Sequence, residues 1–89
     1  MEFEWDRLKA EQNRKKHAVS FDDAVTVFYD PVAATFDDPD HSSSEPRFIT
    51  IGYSSHDRLL VVVHTEHGRN IRIISARPAN ARERKNHET

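Results

Sequence analysis

The sequence predicts an α+β domain: N-terminal helices packed on one side of a small antiparallel sheet, followed by a short C-terminal helix. Three observations carry that expectation. Phe21, Ala24, Val25 and Phe28 recur at the i, i+3, i+4, i+7 spacing of an amphipathic helix. The run Leu59-Leu60-Val61-Val62-Val63-His64-Thr65 is apolar on both faces, as in a central strand. Across His67-Gly68-Arg69-Asn70 it meets Ile71–Ala76, a second β-prone run placed to pair back as a hairpin. At 89 residues and 10.3 kDa, one domain over residues 1–89 with one core is expected.

Taken in order, Phe3 and Trp5 alternate with Glu2 and Glu4, a period-2 pattern suited to an edge strand. Asp6 is placed to cap a helix running to about Lys16, with Glu11 four residues before Lys15. Its apolar face is only Leu8 and Ala10, so it belongs on the surface. Ser20 is a cap for the second helix, with Asp23 at the third helical position, and Pro31 stops that helix just beyond Asp30. Val32–Phe36 is short and β-prone. Asp37–Pro46 reads as a polar loop. Phe48, Ile49, Ile51 and Tyr53 mark a strand and Ser54–Arg58 a turn. After Pro78, Asn80 caps a short charged helix to His87.

Composition narrows the function classes. Cysteine is absent, which excludes a disulfide scaffold, a zinc ribbon and thiol catalysis. The acidic start and the brief apolar runs argue against a signal peptide and a membrane span, so a cytoplasmic protein with no membrane partner is expected. Apolar residues are 36% of the chain and mean hydropathy is −0.80, so the core is thin and a partner is expected to cover part of it. The net charge of −2 hides a strong asymmetry. Arg7, Lys9, Arg14, Lys15 and Lys16 crowd the first helix. From Ser20 to Glu45 there are seven acids and no Lys or Arg, and from Arg69 to Lys85 the sign turns positive again. Segregated charge suits one surface for an anionic partner and another for a cationic one.

The stretch Ile71-Arg72-Ile73-Ile74-Ser75-Ala76-Arg77 is the most informative. Two planar, permanently charged forks beside a serine suit phosphate. In a regular strand Arg72 faces away from Ser75 and Arg77, and the three converge only with a bulge near Ser75. The competing explanation is an arginine paired across the sheet, for example with Glu66. His64 and Glu66 share one face of the preceding strand and are candidates for proton transfer; a histidine satisfied in the core is the alternative for His64. His64-Thr65-Glu66-His67 lacks a third ligand at a recognisable spacing, and alternation sends His67 to the other face, so no metal is expected. Lys16 and His17 either complement the dipole at a helix end or extend a cationic surface.

These residues also resemble a known family. Phe3-Glu4-Trp5-Asp6, Lys9, Asn13, Lys16-His17, Val19-Ser20-Phe21, Ala24 and Val27-Phe28 form one block. Leu60-Val61-Val62-Val63-His64-Thr65-Glu66, Ile71-Arg72-Ile73-Ile74-Ser75-Ala76-Arg77 and Arg82-Glu83-Arg84 form the second. Together they resemble the BrnT toxin family over nearly the whole chain. The resemblance implies a RelE-like fold and a metal-independent endoribonuclease without cofactors that blocks translation in a bacterial cytoplasm. It implies a DNA-binding antitoxin, BrnA, as partner, with DNA reached only through it, and leaves room for a dimer within the complex. Family members often carry a tyrosine after the Arg-Glu-Arg segment. This chain has Lys85-Asn86-His87-Glu88, so that role is lost or passes to His87.

The resulting expectation is cleavage of RNA, with Arg72 and Arg77 stabilising the phosphorane beside Ser75. Glu66, His64 or His17 would move protons, and Lys16, His17, Arg82, Arg84 and Lys85 would hold the RNA backbone. The rival expectation is a binding module without catalysis, acting as co-repressor with its antitoxin.

Overall fold

The computed structural model describes residues 2–38 and 45–89; most of the expected polar loop Asp37–Pro46 therefore lies outside the described residues. Five strands form one sheet in the order β1-β5-β4-β3-β2: β1 (Phe3–Glu4), β2 (Ala34–Asp37), β3 (Arg47–Tyr53), β4 (Leu59–His67) and β5 (Asn70–Pro78). Helices α1 (Arg7–His17) and α2 (Phe21–Thr26) follow β1, and α3 (Ala81–Glu88) closes the chain.

The helix ends are set by the residues the sequence marks. Asp6 accepts from the amides of Leu8 and Lys9, and α1 stops at Ala18, which takes a left-handed conformation (φ 56°). Ser20 Oγ accepts from Asp23 N at 3.0 Å. The second helix is shorter than its periodicity predicts. After Thr26 it tightens into a 3-10 turn over Val27–Tyr29, and this rotates Val27 into the core, fully buried, while Phe28 is only half-buried. Tighter winding changes which residue follows the apolar stripe.

The position of β4 accounts for its composition. It is third of five strands, and Leu60 and Val62 join Val19, Phe21, Ala24, Val27, Ile73 and Ala76 in the core beneath α1 and α2. Leu59 and Val61, on its other face, are also buried. Gly52, paired with Leu60, faces the same helices. A Cβ there would lie 2.8 Å from Ala33 Cβ and 3.0 Å from Val27 Cγ1, so only glycine lets the turn after α2 approach β3 this closely.

Two expectations about the architecture need correction. The sheet is mixed, because β1 pairs with β5 in parallel, Phe3 opposite Ile71 and Glu4 opposite Arg72. A two-residue strand carries no local information about its partner's direction. The helices also lie on both faces: α1 and α2 cover one, whereas α3 sits against the other, held by Arg77 and Tyr53. The charged sequence of α3 contains no buried residue, so no apolar stripe announced which face it would take.

Asn13 closes the gap left by short β1. Its Nδ2 donates to Ala76 O at 2.8 Å and to Val19 O at 3.0 Å, and its Oδ1 accepts from Ala76 N at 3.1 Å. A buried side-chain amide thus does for the outer edge of β5 what another strand would do.

Candidate active site

The register of β4 and β5 shifts between Val63 and His64: Val63 pairs with Ser75, but His64 pairs with Ile73. Ile74 is the extra residue of a bulge. The side-chain alternation therefore slips by one, and Arg72, Ser75 and Arg77 all come to the face of the sheet that carries α3. The bulge that convergence required is present.

Both guanidiniums on this face are held by carboxylates. Arg72 bonds Glu4 through Nε at 3.0 Å and NH2 at 2.9 Å, and Glu4 also accepts from Asn70 at 3.0 Å. The Asn70 and Arg72 hydrogen bonds hold the Glu4 carboxyl below the usual carboxylate range. Arg77 makes a two-pronged pair with Glu83, 2.8 Å on each arm. That pair lowers the Glu83 carboxyl and raises the Arg77 guanidinium. Glu83 is itself fixed: its Oε1 accepts from Asn80 N at 2.9 Å while Asn80 caps Glu83 N at 2.8 Å. This reciprocal capping box makes α3 a rigid carrier for the carboxylate. Neither partner is Glu66, the acid expected to compete for an arginine.

His87 stands one helical turn beyond Glu83, and these are the two half-buried residues of α3. Its ring lies 5.9 Å from that of Tyr53, whose hydroxyl donates to Glu88 at 2.6 Å. The Glu88 bond raises the Tyr53 phenol.

The other expected site residues lie elsewhere. His64 is on the α1/α2 face, 6% exposed, between the rings of Phe28 at 4.9 Å and Phe48 at 5.8 Å. Its Nε2 lies 2.7 Å from Thr50 Oγ1, Nδ1 has no partner among the described residues, and burial pushes its pKa down to about 4. Glu66 shares that face at the exposed end of β4, opposite Ile71. The structure does not bring His64 or Glu66 to the arginines: both share the β4 face of Leu60 and Val62, Arg77 lies on the other face opposite Val61, and the bulge moves Arg72 to that other face as well, opposite Thr65. Lys16, exposed, and His17, half-buried, end α1 on the helix-covered side. Arg82, Arg84 and Lys85 point outward from α3, with Arg84 paired to Glu88 at 3.6 Å. The five basic residues are thus divided between opposite sides of the sheet.

Glu4 and Glu83 are the site-forming residues that sequence reasoning did not assign, whereas His87 was named there only as the residue to which a tyrosine's role passes if it is not lost. For Glu83 a signal existed: Asn80-x-x-Glu83 is a capping-box spacing. For Glu4 none did, since its contact depends on the parallel pairing of strands 66 residues apart in sequence, a partner spacing visible only in the fold.

A family model described as ribonuclease toxin, BrnT, of type II toxin-antitoxin system matches residues 5–83. The chain belongs to the BrnT family. Among solved structures, it is similar to the ribonuclease toxin BrnT of Brucella abortus, with a TM-score of 0.70 and 24% identity over 90% of this chain and 97% of that one. At that identity the likeness establishes the fold, which is the α+β arrangement of three helices and five strands. Comparison with curated proteins gives no match. As a BrnT-type ribonuclease toxin of a type II system, the chain has an antitoxin as its partner. Among the described residues, no helix is long and apolar enough to cross a membrane.

Proposed function

We propose that this BrnT-family chain is a RelE-like, metal-independent endoribonuclease that acts in the cytoplasm, inhibits translation by cutting RNA, and is neutralised by a BrnA-like DNA-binding antitoxin. The observation that carries the reading is the bulge at Ile74, which gathers Arg72, Ser75 and Arg77 on one face beside a helix-borne carboxylate and imidazole. In this reading a 2′-hydroxyl gives up its proton and attacks the adjacent phosphorus, the bond from phosphorus to the 5′-oxygen of the next nucleotide breaks as that oxygen takes a proton, and the two guanidiniums stabilise the charge that develops on the phosphorane. Cations supplied by the chain itself serve this purpose without a metal. Glu83 orients Arg77. His87, on the same side of α3, moves the proton that His64 was expected to move. Ser75 donates to a phosphate oxygen, and Arg82, Arg84 and Lys85 hold the RNA backbone on that side.

The test is incubation of antitoxin-free protein with labelled RNA in excess EDTA, beside Arg72→Ala and Arg77→Ala. We expect products ending in a 2′,3′-cyclic phosphate, about 100-fold slower with either variant, as for loss of one charge-stabilising donor. His87→Ala should slow cleavage about 100-fold, as for loss of a group that transfers a proton. Intact RNA from folded wild-type protein, with and without ribosomes, would falsify the catalytic reading and leave a binding role.

A further inference from the structure

On the side of the molecule away from α3 lies a cavity of about 380 Å³ between α1 and the start of α2. This is the size range of sites for small organic ligands, which begins at roughly 300 Å³. Its apolar wall is Trp5, whose indole meets the Phe21 ring edge-on at 5.9 Å. Its rim is one face of α1: Arg7, Glu11 and Arg14 stand at i, i+4 and i+7, two turns of a single stripe. Asp22 closes the opposite side.

Two arginines and two carboxylates line this cavity, but among the described residues they are not joined to one another in ion pairs. Among the described residues Arg7 and Arg14 make no ion pair, although carboxylates line the same cavity, and Glu11 reaches instead for Lys15 at 3.9 Å. Arg7 is the first residue of α1, where the helix dipole disfavours a cation, and the neighbouring Asp6 carboxylate is engaged with the amides of Leu8 and Lys9 as the cap. Two solvent-facing guanidiniums beside an indole suit a ligand that joins an anion to a flat ring. That combination is a nucleotide.

We infer that this cavity is a nucleotide subsite for one residue of single-stranded RNA, with the base against Trp5, the phosphate between Arg7 and Arg14, and guanine favoured by Asp22. The preference follows from donor pattern: the Watson–Crick edge of guanine offers two N–H donors to a carboxylate, whereas adenine offers one donor beside an acceptor. The placement suits an extended strand. Trp5 follows Glu4, the partner of Arg72, so only the two-residue edge strand β1 separates the subsite from the arginines of the other face. The inference rests on the ribonuclease reading and names how its substrate is held.

Trp5 is the only tryptophan of the chain, so intrinsic fluorescence reports the site directly. Wild-type protein is titrated with GMP, with AMP, with inorganic phosphate, and with a short guanine-containing oligonucleotide methylated at every 2′-oxygen, which can bind but cannot be cut. GMP and the oligonucleotide should quench Trp5 saturably, with GMP bound about tenfold more tightly than AMP. Phosphate alone should leave the indole signal unchanged. Arg7→Gln and Arg14→Gln, both exposed, should each weaken binding about tenfold with unchanged thermal unfolding, as expected for loss of one charge-assisted bond. Asp22→Asn should remove the preference for GMP. No saturable quenching by either ligand overturns the subsite, as does quenching that the arginine variants leave intact; equal affinity for GMP and AMP overturns the role of Asp22. Cleavage of ordinary RNA is measured in parallel. A protein that cuts RNA without quenching loses the subsite alone, and one that quenches without cutting loses the catalytic reading alone.

Discussion

Replacing Asn13 by alanine should be among the most damaging single changes to this small domain. Asn13 is 7% exposed and its amide makes three hydrogen bonds: two donated, to Ala76 O and Val19 O, and one accepted from Ala76 N. Ala76 and Val19 are both fully buried, so water does not readily take the place of the amide. Each buried group left without a partner costs about 1–3 kcal/mol. Three such groups, taken at the lower end of that range, give about 3 kcal/mol in total. For a domain of this size 1 kcal/mol corresponds to roughly 4–8 °C, so Tm should fall by about 15 °C. Thermal unfolding followed by circular dichroism measures the shift, and urea unfolding followed by Trp5 fluorescence gives the free energy independently. Asn13→Asp is the stricter control. It keeps the acceptor for Ala76 N but sets an oxygen against two carbonyls, so it should be at least as destabilising despite being nearly isosteric. A loss in Asn13→Ala below about 1 kcal/mol would refute the argument that this amide stands in for a strand at the edge of β5.

Three further outcomes are expected. Gly52→Ala should cost about 1–3 kcal/mol in urea unfolding, because the added Cβ meets Ala33 Cβ at 2.8 Å, whereas at Gly68, with open space but φ +65°, alanine should cost about 1–2 kcal/mol from backbone strain alone. His64 is neutral when folded, with a pKa of about 4 against an ordinary 6.5, so the unfolded chain binds the extra proton between those values. Stability should therefore fall as pH drops from 6.5 toward 4, with a contribution approaching about 1.4 kcal/mol per pH unit, and His64→Leu should flatten that part of the curve; parallel slopes for the two proteins would contradict it. Asn80→Ala removes the cap of α3 and should accelerate amide exchange over residues 81–88 several-fold, about 1 kcal/mol, while exchange in β4 stays unchanged; equal protection of α3 in both proteins would show that the capping box does not hold it.

How much of this was legible in the sequence depended on whether the governing interaction is local. Asp6, Ser20 and Asn80 announce three helix starts because a cap acts within three residues of its own position. The doubly apolar run at Leu59 announces a central strand because it is short, rich in β-branched valine and bounded by turns, as burial on both faces of a sheet requires. The two-residue turn at Gly68-Arg69 fixes a hairpin for the same reason of proximity. Arg72, Ser75 and Arg77 stand out by chemistry, and the bulge they needed was foreseeable as a condition, though not as a fact.

Tertiary structure decided the rest. No local pattern says that β1 lies parallel to β5, that Asn13 bonds Ala76 across 63 positions of chain, or that Glu4 meets Arg72. Those contacts depend on long-range closure of the sheet. A one-residue slip at Ile74 is invisible in composition, yet it assigns every later side chain of β5 to its face. That slip turned Arg72 to the face of Ser75 and Arg77, and so away from His64 and Glu66, which follow the unbroken alternation of β4. The sequence by itself determined the elements, the central strand and the residues with phosphate chemistry. Which of those residues share a surface was decided by pairing register, because in a sheet the face of a side chain depends on its count along the strand and not on its identity.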